Sequence, residues 1–296
     1  MPRHVPHGRD LRLRDRKFSP GETGLLAVIN RTPDSFYDAG RYLDDELAMS
    51  AVARAVADGA DAVDVGGVKA GPGPEVSAAE ELRRVVSFIA AIRETYPDLV
   101  ISVDTWRATV ADAACEAGAD LINDAWAGHD PELTAVAGAH RAGYLCAHTG
   151  GHPPRTDPQR VRYDDVVAEA VEDLNRQADA AMAAGVREDG LLIDAAPDFG
   201  KNTYHSLQVT GQVSALVETG WPVLLAVSNK KFIAETLGLN GRKSDRVTGT
   251  LATTAIGAWE GVRMVRAHDV AQTRQVLDMV AGLRSGIPAL ARRALA

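Results

Sequence analysis

The chain has 296 residues, of which 46% are hydrophobic and 24% are charged. This composition is typical of a globular protein and excludes a disordered or fibrous chain. The 32 basic and 40 acidic residues leave a net charge of −8, which argues against a general nucleic-acid-binding surface. No apolar stretch approaches the roughly 18 residues that a membrane span needs. We therefore expect neither nucleic acid nor membrane as a partner.

The first 20 residues are rich in arginine and lysine. They lack the apolar centre of a secretory signal, so we expect a cytoplasmic protein. We interpret residues 1–20 as a flexible, solvated basic arm that precedes one domain over residues 21–296. The two cysteines, Cys115 and Cys146, lie in apolar segments without metal-ligand spacing. We expect them to be reduced residues that pack in the interior.

From Gly24 onward, the chain alternates short apolar runs with alanine-rich helical stretches. Helices are predicted over residues 45–58, 78–95, 109–117 and 166–184, where apolar residues recur at three- and four-residue spacing. Ser77 followed by Glu80 is a capping box that begins the second of these helices. Eight strands are predicted, at residues 25–30, 62–65, 100–104, 121–123, 144–148, 191–194, 222–227 and 264–266.

Eight strands separated by helices indicate a parallel sheet that is covered on both faces. We favour an α/β fold in which a single (β/α)₈ TIM barrel is closed. An open, doubly wound sheet is the alternative, and the periodicity does not decide between them. In a barrel, the loops that follow the strands share one face, and active sites lie there.

Polar residues stand at the carboxyl ends of the predicted strands. Carboxylates and an amide oxygen accept hydrogen bonds from the amino and N–H groups of a flat heterocycle, and a lysine donates to its carbonyl or ring nitrogen. Arginine and histidine hold an anion such as phosphate, which Mg²⁺ can accompany. Two of the carboxylates also suit an acid–base pair, so recognition and catalysis both stay open. These strand-end residues are Asn30, Asp64, Asp104, Asn123, His148, Asp194, Ser228, Lys230, Arg266 and His268.

Seven motifs, in order along the chain, resemble those of the dihydropteroate synthase family. The resemblance covers residues 25–283, and it implies a (β/α)₈ barrel that pairs into a homodimer through helices late in the chain. Dimerisation rests mainly on this resemblance. The motifs are VINRTPDSF (28–36), GADAVDVGG (59–67), ISVDT (101–105), IND (122–124), DFGK (198–201), SNK (228–230) and VRAHDV (265–270).

Members of that family condense 4-aminobenzoate with a dihydropterin hydroxymethyl pyrophosphate in the presence of Mg²⁺ and release pyrophosphate. By position, the resemblance implies a pterin site of Asp104, Asn123, Asp194, Phe199 and Lys230. It also implies an anion site of Arg266, His268 and Asn30, with Asn30 next to the metal ion. Candidates for a catalytic role are Lys230, Arg266 and His268.

The loops depart from the family pattern at several positions. After Gly67 the family has Glu-Ser-Thr-Arg-Pro-Gly, and here Ala70 and Gly71 replace its threonine and arginine. In the family's Ser-Arg-Lys-Ser motif, Asn229 replaces a second arginine and Lys231 replaces a serine near the aminobenzoate carboxylate. Three further changes introduce charge: Arg31 in place of a valine, Lys69 in place of a serine, and Asp198 in place of a glycine.

These departures predict impaired catalysis. Each lost guanidinium removes contacts of about 1.5–3 kcal/mol where they are well formed, and the combined rate loss is on the order of 10²–10⁴ if both act in the transition state. Arg31, Lys69 and Lys231 are new cations and candidates to compensate for the lost arginines, although lysine lacks the planar fork of arginine. We expect weak or absent synthase activity with retained binding of pterin, sulfonamide or sulfone ligands. The alternatives are an active, divergent synthase and a different pterin-site enzyme or ligand-binding regulatory partner.

Two other features have a less specific interpretation. We expect residues 149–155 to form a mobile loop, with anion binding as the alternative. Trp106 and Trp126 follow strand ends, where they either pack against the fold or line the mouth of a ligand site.

Overall fold

The computed structural model describes residues 8–32, 45–156, 161–239 and 243–289. Its strands are β1 (Leu11–Leu13), β2 (Arg16–Phe18), β3 (Gly24–Asn30), β4 (Ala62–Gly66), β5 (Val100–Asp104), β6 (Leu121–Asp124), β7 (Gly143–Ala147), β8 (Leu191–Asp194), β9 (Leu224–Leu225) and β10 (Met264–Ala267). Its α-helices are α1 (Asp45–Ala57), α2 (Ala78–Thr95), α3 (Ala108–Glu116), α4 (Leu133–His140), α5 (Val166–Ala183), α6 (Thr203–Gly211), α7 (Val213–Val217), α8 (Lys231–Thr236), α9 (Val247–Glu260) and α10 (Val270–Ser285).

Strands β3 to β10 form a closed parallel barrel. Hydrogen-bonded neighbours run in the order β8, β7, β6, β5, β4, β3, β10 and β9. A parallel bridge between Ile193 and Val223 then joins the two ends of this series. The closure confirms the predicted (β/α)₈ barrel and excludes the open sheet.

Strand register brings the predicted site residues together. Gly66 at the end of β4 is paired with Asp104 at the end of β5, and Asp104 is in turn paired with Asn123 in β6. The carboxyl ends of β4, β5 and β6 therefore lie side by side. This is the edge of the barrel where ligand sites are found in this fold.

The helices cover the barrel with the apolar stripe that their spacing predicts, as α2 illustrates. Val85, Phe88, Ile89 and Ile92 are buried on one side of this helix. The burial of each such side chain is worth roughly 1.5–3 kcal/mol. At the start of α2, the predicted N-cap is confirmed, because the Ser77 hydroxyl accepts the N–H of Glu80 at 3.2 Å.

The amino-terminal segment differs from the prediction. Strands β1 and β2 form an antiparallel hairpin in which Leu11, Leu13 and Phe18 are fully buried. The Phe18 ring packs where a side chain at Gly24 would lie, and Leu13 packs against Gly143, so the hairpin covers the amino-terminal end of the barrel. The expectation of a solvated arm is therefore wrong for residues 8–20, while residues 1–7 lie outside the described residues.

Two further sequence expectations concern cysteines and membranes. Cys146 is buried in β7, Cys115 is half-buried in α3, and both are free thiols. Burial raises the pKa of the Cys115 thiol to about 12, which agrees with an inert packing residue. Across the described ranges, no helix combines the length and the apolarity that crossing a membrane requires.

Candidate functional site

A cavity of about 240 Å³ opens at the carboxyl ends of the barrel strands. This is close to the lower end of the roughly 300–1,000 Å³ that ligand pockets span, and it suits one fused bicyclic ring. Apolar side chains of Val28, Leu145 and Leu224 form part of its wall. The predicted site residues that line it are Asn30, Lys69, Ala70, Gly71, Asp104, Asn123, Asp194, Phe199, Asn229, Lys230, Arg266 and His268.

A charged network lies at the floor of this cavity. The Arg266 guanidinium donates from Nε to Asp64 Oδ2 at 2.6 Å and from Nη2 to Asp104 Oδ2 at 2.9 Å. Asn123 Nδ2 donates to the same Asp64 oxygen at 3.1 Å. Arg266 is thus held between two carboxylates, and its predicted contact with an anion stays a prediction.

The network perturbs the ionisation of Asp104. Burial raises the pKa of Asp104 to about 7, and the Arg266 charge opposes that rise. The neighbouring carboxylates of Asp64, Glu81 and Asp124 push it further upward. Near neutral pH, Asp104 therefore changes between a form that only accepts hydrogen bonds and a form that also donates one.

A second group of polar residues forms one side wall. Lys230 Nζ donates to the Pro197 carbonyl oxygen at 2.5 Å and lies 4.7 Å from the centre of the Phe199 ring. Burial lowers the pKa of Lys230, and the Asp194 carboxylate opposes that change. Burial likewise raises the pKa of Asp194, whose Oδ1 accepts the N–H of Ala196 at 2.8 Å. This wall offers a cationic donor, a carboxylate and a flat aromatic face.

Besides Arg266, the two other predicted anion residues, His268 and Asn30, also line the cavity. His268 Nδ1 is 2.9 Å from the Ser228 hydroxyl, which also accepts the His268 N–H at 3.1 Å. Asn229 adopts a left-handed φ of 56° and donates from Nδ2 to Asp269 at 3.1 Å. Asn30 lines the cavity from the end of β3. These residues line the same cavity, and the anion site stays a prediction.

Two of the three new cations lie away from the cavity. Arg31 is only 4% exposed, donates to Asp45 at 2.5 Å and lies 4.6 Å from the centre of the Phe88 ring. Lys231 is exposed and forms an ion pair with Glu235 at 3.4 Å. The structure therefore places neither of them where it replaces a lost arginine, whereas Lys69 does line the cavity.

The Asp198 carboxylate is bound to the start of α8. Its Oδ2 accepts the N–H of Lys231 at 2.6 Å and that of Phe232 at 3.3 Å. The Ser206 hydroxyl donates to Oδ1 at 3.4 Å. Asp198 thus satisfies two N–H groups that a helix start otherwise leaves free, and it does so at a left-handed φ of 68°.

Sequence reasoning missed two contacts beside the cavity. The Arg155 guanidinium donates to the carbonyl oxygens of Pro74 at 2.7 Å and Gly71 at 3.2 Å, so the loop expected to be mobile is tied to the loop after β4. Lys201 Nζ is buried and donates to the His148 carbonyl oxygen at 2.6 Å. The imidazole of His148 lies in a groove outside the cavity. The sequence signal for the contact with the loop after β4 was Arg155, the basic residue of the 149–155 segment.

The aromatic residue Trp126 takes a packing position. Its ring contacts the edge of Phe199, with a distance of 5.0 Å between the ring centres. It is 4% exposed and supports a cavity residue from behind. Trp106 does not line the cavity either and lies 4.5 Å from the Arg107 guanidinium. Both tryptophans therefore agree with the packing interpretation.

The comparison with protein families agrees with this geometry. The family described as "Pterin binding enzyme" matches residues 26–268, a range that contains every residue of the cavity lining. The chain belongs to the pterin binding enzyme family. The match extends through all eight strands of the barrel, although it begins within β3.

Individual relatives within this family are similar over most of their length. A protein of Mycobacterium leprae named inactive dihydropteroate synthase 2 is 53% identical over 268 residues, which are 89% of this chain and 91% of that protein. The Yersinia pestis dihydropteroate synthase solved with a sulfonamide drug has a TM-score of 0.87 at 30% identity, covering 94% of this chain and all of that one. The Xanthomonas albilineans dihydropteroate synthase solved with 7,8-dihydropteroate has a TM-score of 0.82 at 33% identity, over 94% and 100% of the two chains.

Proposed function

We propose that the chain is a dihydropteroate-synthase-like protein that binds a pterin ring and condenses it with 4-aminobenzoate weakly or not at all. The observation that carries the proposal is a contrast within one cavity. The five predicted pterin residues line it, yet among the described residues the divergent loops bring no guanidinium to its wall. The residues that recognise the ring are retained, and there are fewer cationic groups to stabilise a departing pyrophosphate.

The floor and the side wall suit the edge of a pterin. Asp194 accepts hydrogen bonds from amino and ring N–H groups, and Lys230 donates to a carbonyl or ring nitrogen. The Phe199 ring offers a flat contact for the bicyclic system. Burial raises the pKa of Asp104 to about 7, so the carboxyl group is suited either to accept a hydrogen bond from the ring or, when protonated, to donate one.

Departure of pyrophosphate demands more positive charge than the cavity supplies. Negative charge builds up on the leaving group, and oriented cationic donors stabilise it most. Ala70, Gly71 and Asn229 supply no charge at the positions that differ from the family pattern. Arg266 is already shared between Asp64 and Asp104, which leaves Lys69 as the new cation at the wall. We infer a rate loss on the order of 10²–10⁴.

Binding of the aminobenzoate carboxylate is weakened as well. By resemblance, this carboxylate lies near Lys231 at the start of α8. The backbone N–H groups of Lys231 and Phe232 are already bonded to the Asp198 carboxylate. A second carboxylate there loses these donors and meets a like charge.

Magnesium stays a proposal for the pyrophosphate complex alone. Within the described ranges, no three His, Cys, Asp or Glu residues are grouped so that they hold a metal ion. One amide, that of Asn30, does not fit a protein-built Mg²⁺ site, because Mg²⁺ prefers carboxylate and phosphate oxygens. No step of the proposed binding therefore depends on the metal.

Known relatives support the proposal. The Mycobacterium leprae protein carries the word "inactive" in its name, and the Xanthomonas albilineans enzyme was solved with 7,8-dihydropteroate. We propose that this chain shares the low activity of the first and the ring recognition of the second. Sulfonamides are included among the proposed ligands because the Yersinia pestis enzyme was solved with one.

We also propose a cytoplasmic homodimer. Ile256 and Trp259 on α9 and Met279 and Leu283 on α10 are each more than half exposed, and the two helices pack against each other. Such a shared apolar surface is typical of a subunit interface. Sedimentation velocity tests the dimer: Trp259→Lys should give a monomer, and an unchanged species would contradict this interface. Reduced thiols at Cys115 and Cys146 agree with a cytoplasmic location.

Pyrophosphate release and pterin binding, measured on one preparation, test the main proposal. With saturating dihydropterin pyrophosphate, 4-aminobenzoate and Mg²⁺, we expect little or no release, while calorimetry detects pterin binding. Asp194→Ala should abolish this binding. Turnover at a rate typical of metabolic enzymes would instead support the active-synthase alternative. Neither turnover nor binding would overturn the pterin assignment and favour another ligand.

A further inference from the structure

Asp64 is a charged residue beneath the cavity that does not line it. It lies in the middle of β4 with no exposed surface. Ser102 donates to its Oδ1 at 2.6 Å. Arg266 and Asn123 both donate to its Oδ2, at 2.6 Å and 3.1 Å. One carboxylate therefore connects strands β5, β6 and β10.

A buried carboxylate is unfavourable unless it is paired and hydrogen-bonded. An apolar residue fills such a position with less cost in solvation, as Ala62 does two residues earlier on the same face of β4. Asp64 satisfies this condition in part through Arg266 and Asn123, which themselves line the cavity. The arrangement thus couples the interior of the barrel to the shape of its polar floor.

We propose that Asp64 is a positioning residue that orients Asn123 and Arg266 for pterin recognition and, through Arg266, also Asp104. With its Nδ2 bonded to Asp64, the Asn123 amide has a fixed orientation, and its oxygen is left as the acceptor for a ring N–H. Arg266 also binds Asp104, to which its Nη2 donates a hydrogen bond. This inference rests on the proposed pterin function and assigns a role to a residue that does not itself contact the ring.

Pterin affinity of the full chain tests the proposal. Asp64→Asn keeps the shape and removes the charge, and we expect calorimetry to show pterin binding weakened by roughly 10- to 100-fold. Ser102→Ala removes one donor to Asp64 without changing any charge, and a smaller loss of roughly 3- to 10-fold is expected. If Asp64→Asn does not fold, the Ser102→Ala variant still tests the proposal.

A matched control separates positioning from general stability. Asp120, just before β6 at the opposite end of the barrel, accepts from Arg93 at 2.5 Å and from the Ile101 N–H at 2.9 Å. Asp120→Asn should lower the thermal midpoint while leaving pterin affinity unchanged. Equal affinity losses in Asp120→Asn and Asp64→Asn would overturn the proposal, because both would then report stability alone.

The titration of Asp104 gives a readout that does not depend on pterin. The charged groups that face it are Arg266 of β10, Asp64 of β4, Glu81 of α2 and Asp124 of β6. Asp64→Asn removes one negative neighbour of Asp104, and this change favours the ionised Asp104 carboxylate. Carboxyl NMR of the ligand-free chain should therefore show a lower Asp104 midpoint in Asp64→Asn.

The possible outcomes distinguish the two proposals. If the wild-type chain binds pterin and both Asp64→Asn and Ser102→Ala bind it equally well, the positioning role fails while the proposed function stands. If the wild-type chain does not bind pterin, the proposed function fails. Because the positioning role rests on pterin recognition, it then fails together with the proposed function.

Discussion

Replacement of Asp198 by glycine, alanine or asparagine separates two contributions to stability at one position. The Asp198 carboxylate caps α8, while its backbone adopts a left-handed φ of 68°. Removal of the cap costs stability, whereas glycine relieves the backbone strain. The three variants therefore differ in predictable ways.

The expected magnitudes follow from these contacts. Loss of an N-cap costs about 0.5–2 kcal/mol, and alanine also keeps a left-handed backbone that costs an ordinary residue about 1–2 kcal/mol. Because the wild-type aspartate has the same left-handed backbone, the difference is mainly the lost cap, and we expect Asp198→Ala to lower the free energy of unfolding by about 0.5–2 kcal/mol. In Asp198→Gly, the lost cap is largely offset, so a change within about 1 kcal/mol is expected. Asp198→Asn keeps an acceptor and tolerates the conformation, so a change of similar size is expected.

Urea unfolding of the three variants, with 4-aminobenzoate calorimetry on the folded samples, is the assay. In Asp198→Gly, the N–H groups of Lys231 and Phe232 are released for a ligand carboxylate. A carboxylate at a helix start gains about 0.3–1 kcal/mol, so 4-aminobenzoate should bind roughly two- to fivefold more tightly with pterin and pyrophosphate present. Equal stability of the alanine and glycine variants would refute the strain, and a cost below about 0.5 kcal/mol for alanine would refute the cap.

Three other predictions concern the surroundings of the cavity. Burial, with the Lys201 charge second, lowers the pKa of His148 from 6.5 to about 4, so the unfolded chain binds the extra proton first. The free energy of unfolding should fall by up to about 3 kcal/mol as the pH drops from about 6.5 to 4. His148→Gln should remove this pH dependence. If urea unfolding of His148→Gln gives the same change of free energy with pH as the wild-type chain, the prediction is wrong. Arg155→Ala removes two hydrogen bonds to the 71–74 loop, and faster amide exchange should appear there with little change in the thermal midpoint. Gly200→Ala should destabilise by at least about 2 kcal/mol in urea, because a Cβ there collides with the Thr149 carbonyl oxygen at a left-handed φ of 58°.

The regular part of the fold was predictable because its signals are local. The spacing of apolar residues predicted a helix over residues 78–95, and α2 has these bounds. The strands at residues 100–104 and 191–194 also agree with β5 and β8. The β1–β2 hairpin was missed because its many charges suggested a solvated segment. The alternation of Leu11 and Leu13 with arginines was the signal of a half-buried strand.

The composition of the site was predictable, but the direction of several side chains was not. Polar residues at strand ends must meet in a barrel, and those of the proposed pterin floor do so. Arg31 is adjacent to Asn30 in sequence, yet its guanidinium is drawn away by Asp45 and Phe88, which lie far along the chain. Asp198 is likewise bound by N–H groups more than 30 residues away. Contacts of this kind depend on tertiary packing, which a single sequence does not reveal.

The hairpin that covers the amino-terminal end of the barrel closes the ligand cavity at that end. Leu11, Leu13 and Phe18 join Leu121 and Leu192 in an apolar layer beneath the polar floor. A ligand therefore enters and leaves only through the loop end of the barrel. Two bound ligands must then leave in a fixed order. Whatever binds near the mouth has to depart before a ring on the floor escapes, so an outer ligand slows the release of an inner one even when the two undergo no reaction.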